Sequence, residues 1–196
     1  MRRRSALLLV LLLALVGCSG DGGDAGAEQS PSAGLTLDPE LRDELVAMME
    51  QDQRERTGQG TIDDTERTDR LKEIIAEHGW PTYDLVGKKG EEAAWVIAQH
   101  ADLDPDFQQQ ALELLREAVA DGQASPGNLA YLEDRVAVAQ GEPQRYGTQM
   151  GCRKSGPVPA TPIEDPGGLD ARRKEAGLPP HSEYVEEMAE VCALPE

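Results

Sequence analysis

Gln99, His100 and Asp102 stand together at the end of the stretch EEAAWVIAQHAD, and Tyr131, Asp134 and Arg135 follow at spacings of three and four. An imidazole beside a carboxylate serves as a general base, and a guanidinium nearby holds an anionic group or a developing negative charge. The chemistry these residue types allow is therefore hydrolysis or group transfer. In it His100 is the base, Asp102 or Asp134 orients it, and Arg135 or Arg173 holds the anion. Tyr146 and Gln149, in the segment QRYGTQ, add a phenol and an amide. His100, Asp134 and Arg135 are the candidate catalytic residues; Gln99, Asp102, Tyr131, Tyr146, Gln149 and Arg173 are the candidate binding residues. A second use fits the same residues: they could satisfy one another in a buried network that pins the elements carrying them.

The elements that must position these groups are helices. Ala93 to Ala98 are all apolar and cover every direction around a helix, which belongs in the middle of a core. The segment from Gly90 to about His100 is therefore expected as a central helix that delivers its polar end to the interior or to the floor of a cleft. Before it, Leu41, Leu45, Met48 and Met49 mark an amphipathic helix over residues 39–56. Leu71, Ile74 and Ile75 mark a second over residues 64–78, stopped by Gly79. Asp104-Pro105 and Ser125-Pro126 are start signals for two more, because the cap side chain satisfies an orphan donor and proline removes one.

On the fifth helix, Leu129, Leu132, Val136 and Ala139 lie on one side and Tyr131, Asp134 and Arg135 on nearly the other. Beyond Gly141 the helical period stops, and the alternation of Gln144, Tyr146 and Thr148 suits a short extended strand in which Gly147 permits close backbone approach. Prolines 157, 159, 162 and 166 make the next stretch a loop or edge strand. Short helices over residues 169–176 and from about Ser182 complete a mainly α, single helical domain of six to seven helices with a small extended or β element after the fifth.

Other motifs carry less. Asp102, Asp104, Asp106, Gln108, Gln110 and Glu113 fall at the ligand spacing of a calcium-binding loop, but Phe107 stands where glycine is required and Pro105 starts a helix through it. His78, His100 and His181 are scattered without partners at zinc spacing. No glycine-rich phosphate loop, nucleophile elbow or HExxH motif occurs. The chain implies no cofactor and no metal. Seven of the basic residues fall between Arg135 and Lys174, where they could hold a phosphate or carboxylate or form scattered ion pairs.

At the N-terminus, Arg2, Arg3 and Arg4 precede an apolar run from Ala6 to Val16, too short for a bilayer core of about 30 Å and laid out as a secretory signal. Leu15, Val16, Gly17 and Cys18 resemble the lipobox of bacterial lipoproteins, which implies cleavage before Cys18 and acylation, including palmitate, on it. Residues 1–17 are then a signal peptide. The lipidated Cys18 and the Gly, Ser and acidic residues to Gly34 form a tether with a reach of roughly 20 to 24 Å, and residues 35–196 form the domain. The expected place is outside the cytoplasm, anchored to the cell membrane by lipid, with an unknown small molecule or envelope protein as partner. Loss of the three arginines takes the formal charge from −18 to −21, which disfavours nucleic acid. Cys152 and Cys192 are then the thiols left in an oxidising compartment, and a disulfide between them is expected to contribute about 4 kcal/mol on the chain-entropy argument.

Several ordered motifs resemble an uncharacterised bacterial family, a domain of unknown function. They are Gly79-Trp80-Pro81, Val86-Gly87, Trp95 with Gln99-His100-Ala101-Asp102, and Ala130-Tyr131-Leu132 with Asp134-Arg135. Gln144 with Tyr146-Gly147-Thr148-Gln149, Pro162-Ile163 with Asp165, and Asp170 with Arg173 and Gly177 complete the set. The resemblance spans about Leu41 to Tyr184. It implies no established activity, and neither the paired cysteines nor the lipid anchor belongs to its pattern.

Overall fold

The computed structural model describes residues 37–193; the signal segment, Cys18 and the whole tether lie outside them. Within that range the chain forms α1 (Pro39–Arg56), α2 (Asp64–His78), α3 (Tyr83–Gln99), α4 (Pro105–Ala120), α5 (Pro126–Ala139), a hairpin of β1 (Met150–Arg153) and β2 (Gly156–Pro159), then α6 (Leu169–Glu175) and α7 (His181–Cys192). The protein is mainly α with one small antiparallel sheet after the fifth helix.

The helix starts are those the sequence announces. Asp38 accepts hydrogen bonds from the N–H groups of Glu40 and Leu41, Asp104 from that of Phe107 and Ser125 from that of Asn128, each followed by proline at the first helical position. The Asp104 cap also answers the calcium-spacing coincidence: α4 runs straight through that stretch. α3 begins earlier than expected, at Tyr83, because Gly87 takes φ 70° and ψ 171° and bends the chain between two helical pieces, a conformation open to glycine.

α3 packs against α1, α2, α4 and α5, and Ala93, Ala94, Ile97 and Ala98 are buried among Leu45, Leu71, Ile74 and Leu115. Its small side chains let four helices approach one axis. α5 is covered on two sides, which is why both of its faces carry structure: Ala130, Leu132 and Val136 meet the helical core, while Asp134 is equally buried against the segment that follows.

The expected strand over residues 144–149 is not one. That segment turns around Asp134, touches Ile163 through a single bridge at Gln144, and the paired strands begin only at Met150, with Met150 opposite Pro159. Gly147, at φ 65°, is the reason: a Cβ there would meet Ile163 Cδ1 at 2.8 Å and His181 Nε2 at 2.9 Å, so the chain turns tightly where a strand would run on. Cys152 and Cys192 are disulfide-bonded, Cα atoms 5.4 Å apart, and tie α7 to the hairpin.

Candidate functional site

Asp134 is fully buried, and its two oxygens are consumed by one loop. Oδ1 accepts from the N–H of Arg145 at 2.7 Å and of Tyr146 at 3.0 Å; Oδ2 accepts from the N–H of Thr148 at 2.8 Å and its hydroxyl at 2.9 Å. A carboxylate so placed organises backbone. The loop is closed from outside by Arg173, also fully buried, which donates to the carbonyls of Pro179 and Tyr146 at 2.7 and 2.8 Å. Gln144 and Gln149 finish it, the Gln149 N–H donating to Gln144 Oε1 at 2.7 Å. Tyr146 gives its backbone to this construction, and its ring faces Arg145, away from the end of α3; burial raises the pKa of its phenol.

His100 has a different orienting partner from either expected one. Its Nδ1 lies 3.0 Å from the carboxylate of Asp52 on α1, a residue with no solvent exposure. Asp52 also accepts from Arg56 Nε at 3.0 Å and Gln53 Nε2 at 2.8 Å, with the Arg67 guanidinium at 3.6 Å. Arg56 Nε lies 3.0 Å from His100 Nδ1 as well. A lone pair on Nδ1 could accept from Arg56 Nε but would also face a carboxylate that already takes that proton, whereas a proton on Nδ1 is shared with the carboxylate; the Asp52 contact therefore favours Nδ1–H, with Nε2 unprotonated. Nε2 has no hydrogen-bond partner among the described residues and is not sealed from solvent. Burial lowers the pKa of His100; Asp52 opposes this, and the charges of Arg56 and Arg135 add to it. The ring is thus neutral at pH 7.

Beside His100, Asp102 and Arg135 form a two-pronged ion pair through Nε and Nη2, and Arg135 Nη1 donates to Gln149 Oε1 at 3.3 Å. Burial pushes the Asp102 carboxyl up, but hydrogen bonds and charge from Arg135 outweigh it and hold the carboxyl below its usual range. Gln108 on α4 donates to the last carbonyls of α3, those of Ala98 and Gln99, and to Asp102. Asp102, Gln108, Arg135 and Gln149 line an open groove of about 260 Å³ floored by Pro105, Val138 and Ala139.

Tyr131 leaves its carbonyl to Gln149 and its ring to a chain of aromatic edges. Trp95 and Tyr131 meet edge to face at 6.0 Å, Tyr131 and Tyr184 at 6.1 Å, and the Arg173 guanidinium lies 5.2 Å from Tyr184. All three rings are half-buried, and burial raises the pKa of both tyrosines. Gln99 is buried, and its Oε1 has no partner among the described residues.

The expected set therefore divides. Asp102, Arg135 and Gln149 come together on the groove with His100 next to them, while Asp134, Arg173 and Tyr146 belong to the loop. Neither Asp102 nor Asp134 orients His100. Asp52, Arg56 and Gln108 were not among the expected residues. Asp52 had a signal: it continues the inward stripe of Leu41, Leu45 and Met48 at a position where an apolar residue belongs, and Gln108 sits likewise between Phe107 and Ala111.

The fold and this geometry define a mainly helical domain with a polar groove at one end of a buried axial helix. The chain belongs to a family of unknown function, DUF6624, which matches residues 54–194 and so begins just after Asp52. Among curated proteins and solved structures, none matches the chain.

Proposed function

We propose that this protein is a lipid-anchored extracytoplasmic domain that binds a small, uncharged polar molecule in the groove between the end of α3, α5 and Gln149. The observation that carries the reading is the groove itself: an ion pair and two amides, from four separate parts of the chain, converge on one concave surface. The only guanidinium lining it is neutralised by Asp102, and the chain as a whole is strongly acidic, so anions are repelled and hydrogen-bonding neutral groups are favoured. Anchoring rests on the signal layout and the lipobox-like residues that end in Cys18. Among the described residues no helix is long and apolar enough to cross a membrane. The attachment proposed is through acyl chains on Cys18, two of which hold a protein stably.

Ligand-detected NMR with a panel of neutral sugars and amino-acid amides, run beside matched carboxylates and phosphates, tests the binding. Neutral compounds are expected to give signals that vanish in Gln149→Ala. Signals confined to the anions, or indifferent to that change, would refute it. Cys18→Ser is expected to move the protein from the membrane fraction to the soluble one, and retention on the membrane would refute the anchor.

A further inference from the structure

We infer that His100 is the general base of a hydrolytic site for uncharged carboxylic esters, with Asp52 as its positioning residue. The inference rests on the groove reading only for where the substrate sits. Asp52 and His100 are 48 residues apart in sequence and meet at 3.0 Å, with the carboxylate wholly buried and the far ring nitrogen open to solvent. A structural histidine in such a network would spend both nitrogens on partners. This one spends a single nitrogen on a buried carboxylate, the arrangement that fixes tautomer and ring orientation for proton transfer at the other.

The surroundings choose the reaction. No serine, threonine or cysteine side chain hydrogen-bonds His100 among the described residues, so the nucleophile is water. Asp52, Glu55, Asp64 and Asp102 are paired there with Arg56, Arg67 and Arg135, four carboxylates to three guanidiniums, which disfavours a phosphoanion and leaves a neutral carbonyl as the electrophile. Nε2 takes a proton from water as the oxygen bonds to the carbonyl carbon. The carbonyl oxygen becomes the oxyanion of a tetrahedral intermediate. The carbon–oxygen bond to the alcohol then breaks, and the leaving alkoxide takes the proton back from Nε2. Acid and alcohol are the products, and water is the only other reactant.

The groups that set the pH dependence are Asp52 and Arg56 on α1, Arg67 on α2, Asp102 after α3 and Arg135 on α5. With the imidazole pKa lowered, the rate is expected to rise with pH along a limb whose midpoint lies below 6.5.

The test uses the full chain in detergent with 4-nitrophenyl acetate as probe. Hydrolysis is expected to exceed that of equimolar free imidazole by about 10²-fold, the scale of general-base catalysis, and His100→Gln is expected to abolish the excess while melting like the parent. Asp52→Asn is expected to lower the rate by a similar factor and move the pH limb down, since the carboxylate that favours the imidazolium is gone; a purely structural Asp52 would leave the limb in place. No excess over imidazole, or a folded His100→Gln that retains it, would overturn the inference. Turnover that survives Gln149→Ala while ligand signals vanish would count against the groove as the substrate's place and not against the base. Ligand signals without turnover would overturn the base alone.

Discussion

Asp52 and Asp134 are both aspartates with no solvent exposure, and they do opposite things. Asp134 meets three backbone N–H groups and a hydroxyl of one loop, donors fixed by the fold. Asp52 meets side chains, two guanidiniums and an imidazole, and the chain of contacts through it ends on a ring nitrogen without a hydrogen-bond partner among the described residues. A buried carboxylate closed by backbone builds architecture, whereas one closed by titratable side chains, one of them half-exposed, can pass its influence outward. Glu91, midway along α3, is a third case. It is buried, Asn128 donates to its Oε2 at 3.3 Å, the N–H groups of Trp80 and Ser125 lie nearby, and its Oε1 has no hydrogen-bond partner among the described residues.

The sharpest way to break this comparison is Asp134→Ala. It strands three N–H groups and a hydroxyl, so urea unfolding should show a loss of at least about 4 kcal/mol; a loss under 1 kcal/mol would mean that the loop stands without it. Next, reducing Cys152–Cys192 opens a loop of 40 residues in the same architectural half and should lower stability by about 4 kcal/mol on the chain-entropy argument, less if α7 stays packed.

Glu91 sharpens the contrast from the other side. Burial pushes its carboxyl up to about 7, against 4.5 in an unfolded chain, and the nearby N–H groups of Trp80, Ser125 and Asn128 pull it back only in part. Between those two values the folded state holds the extra proton. Stability therefore falls as pH rises from 4.5 to 7, and above 7 the full cost persists. Glu91→Gln should flatten that part of the profile and stabilise the protein at pH 8 by about 2 to 3 kcal/mol; an unchanged slope would place the titration elsewhere. The smallest effect on stability is expected at His100→Gln, within about 1 kcal/mol, because the ring is at the margin of the core and glutamine can still donate to Asp52. A large loss there would make His100 as architectural as Asp134.

Much of the frame was legible in the sequence. Asp104-Pro105 and Ser125-Pro126 announce their helices by local chemistry alone, and the apolar run of α3 announces its own burial. The disulfide followed from two thiols with no other use. The loop at 144–149 was misread as a strand because alternation in so short a segment cannot register a distant carboxylate that gathers its N–H groups. Asp52 was missed for a related reason: its partner is 48 residues away, and only its intrusion into the stripe of Leu41, Leu45 and Met48 marks it. Gln99, His100 and Asp102 were singled out because a helix without a solvent face must send its polar end somewhere; the structure puts Asp102 on the groove, His100 against Asp52 and Gln99 in the interior. Their division between the groove and the Asp52 contact needed three dimensions.

Long-range proton–nitrogen correlation spectra of the three histidines, assigned by loss of one set in His100→Gln, test the central claim most directly. The account predicts that at pH 7 His100 is neutral with its proton on Nδ1 and an unprotonated Nε2, and that Asp52→Asn transfers the proton to Nε2. A ring already protonated at Nε2, or charged at pH 7, would contradict it.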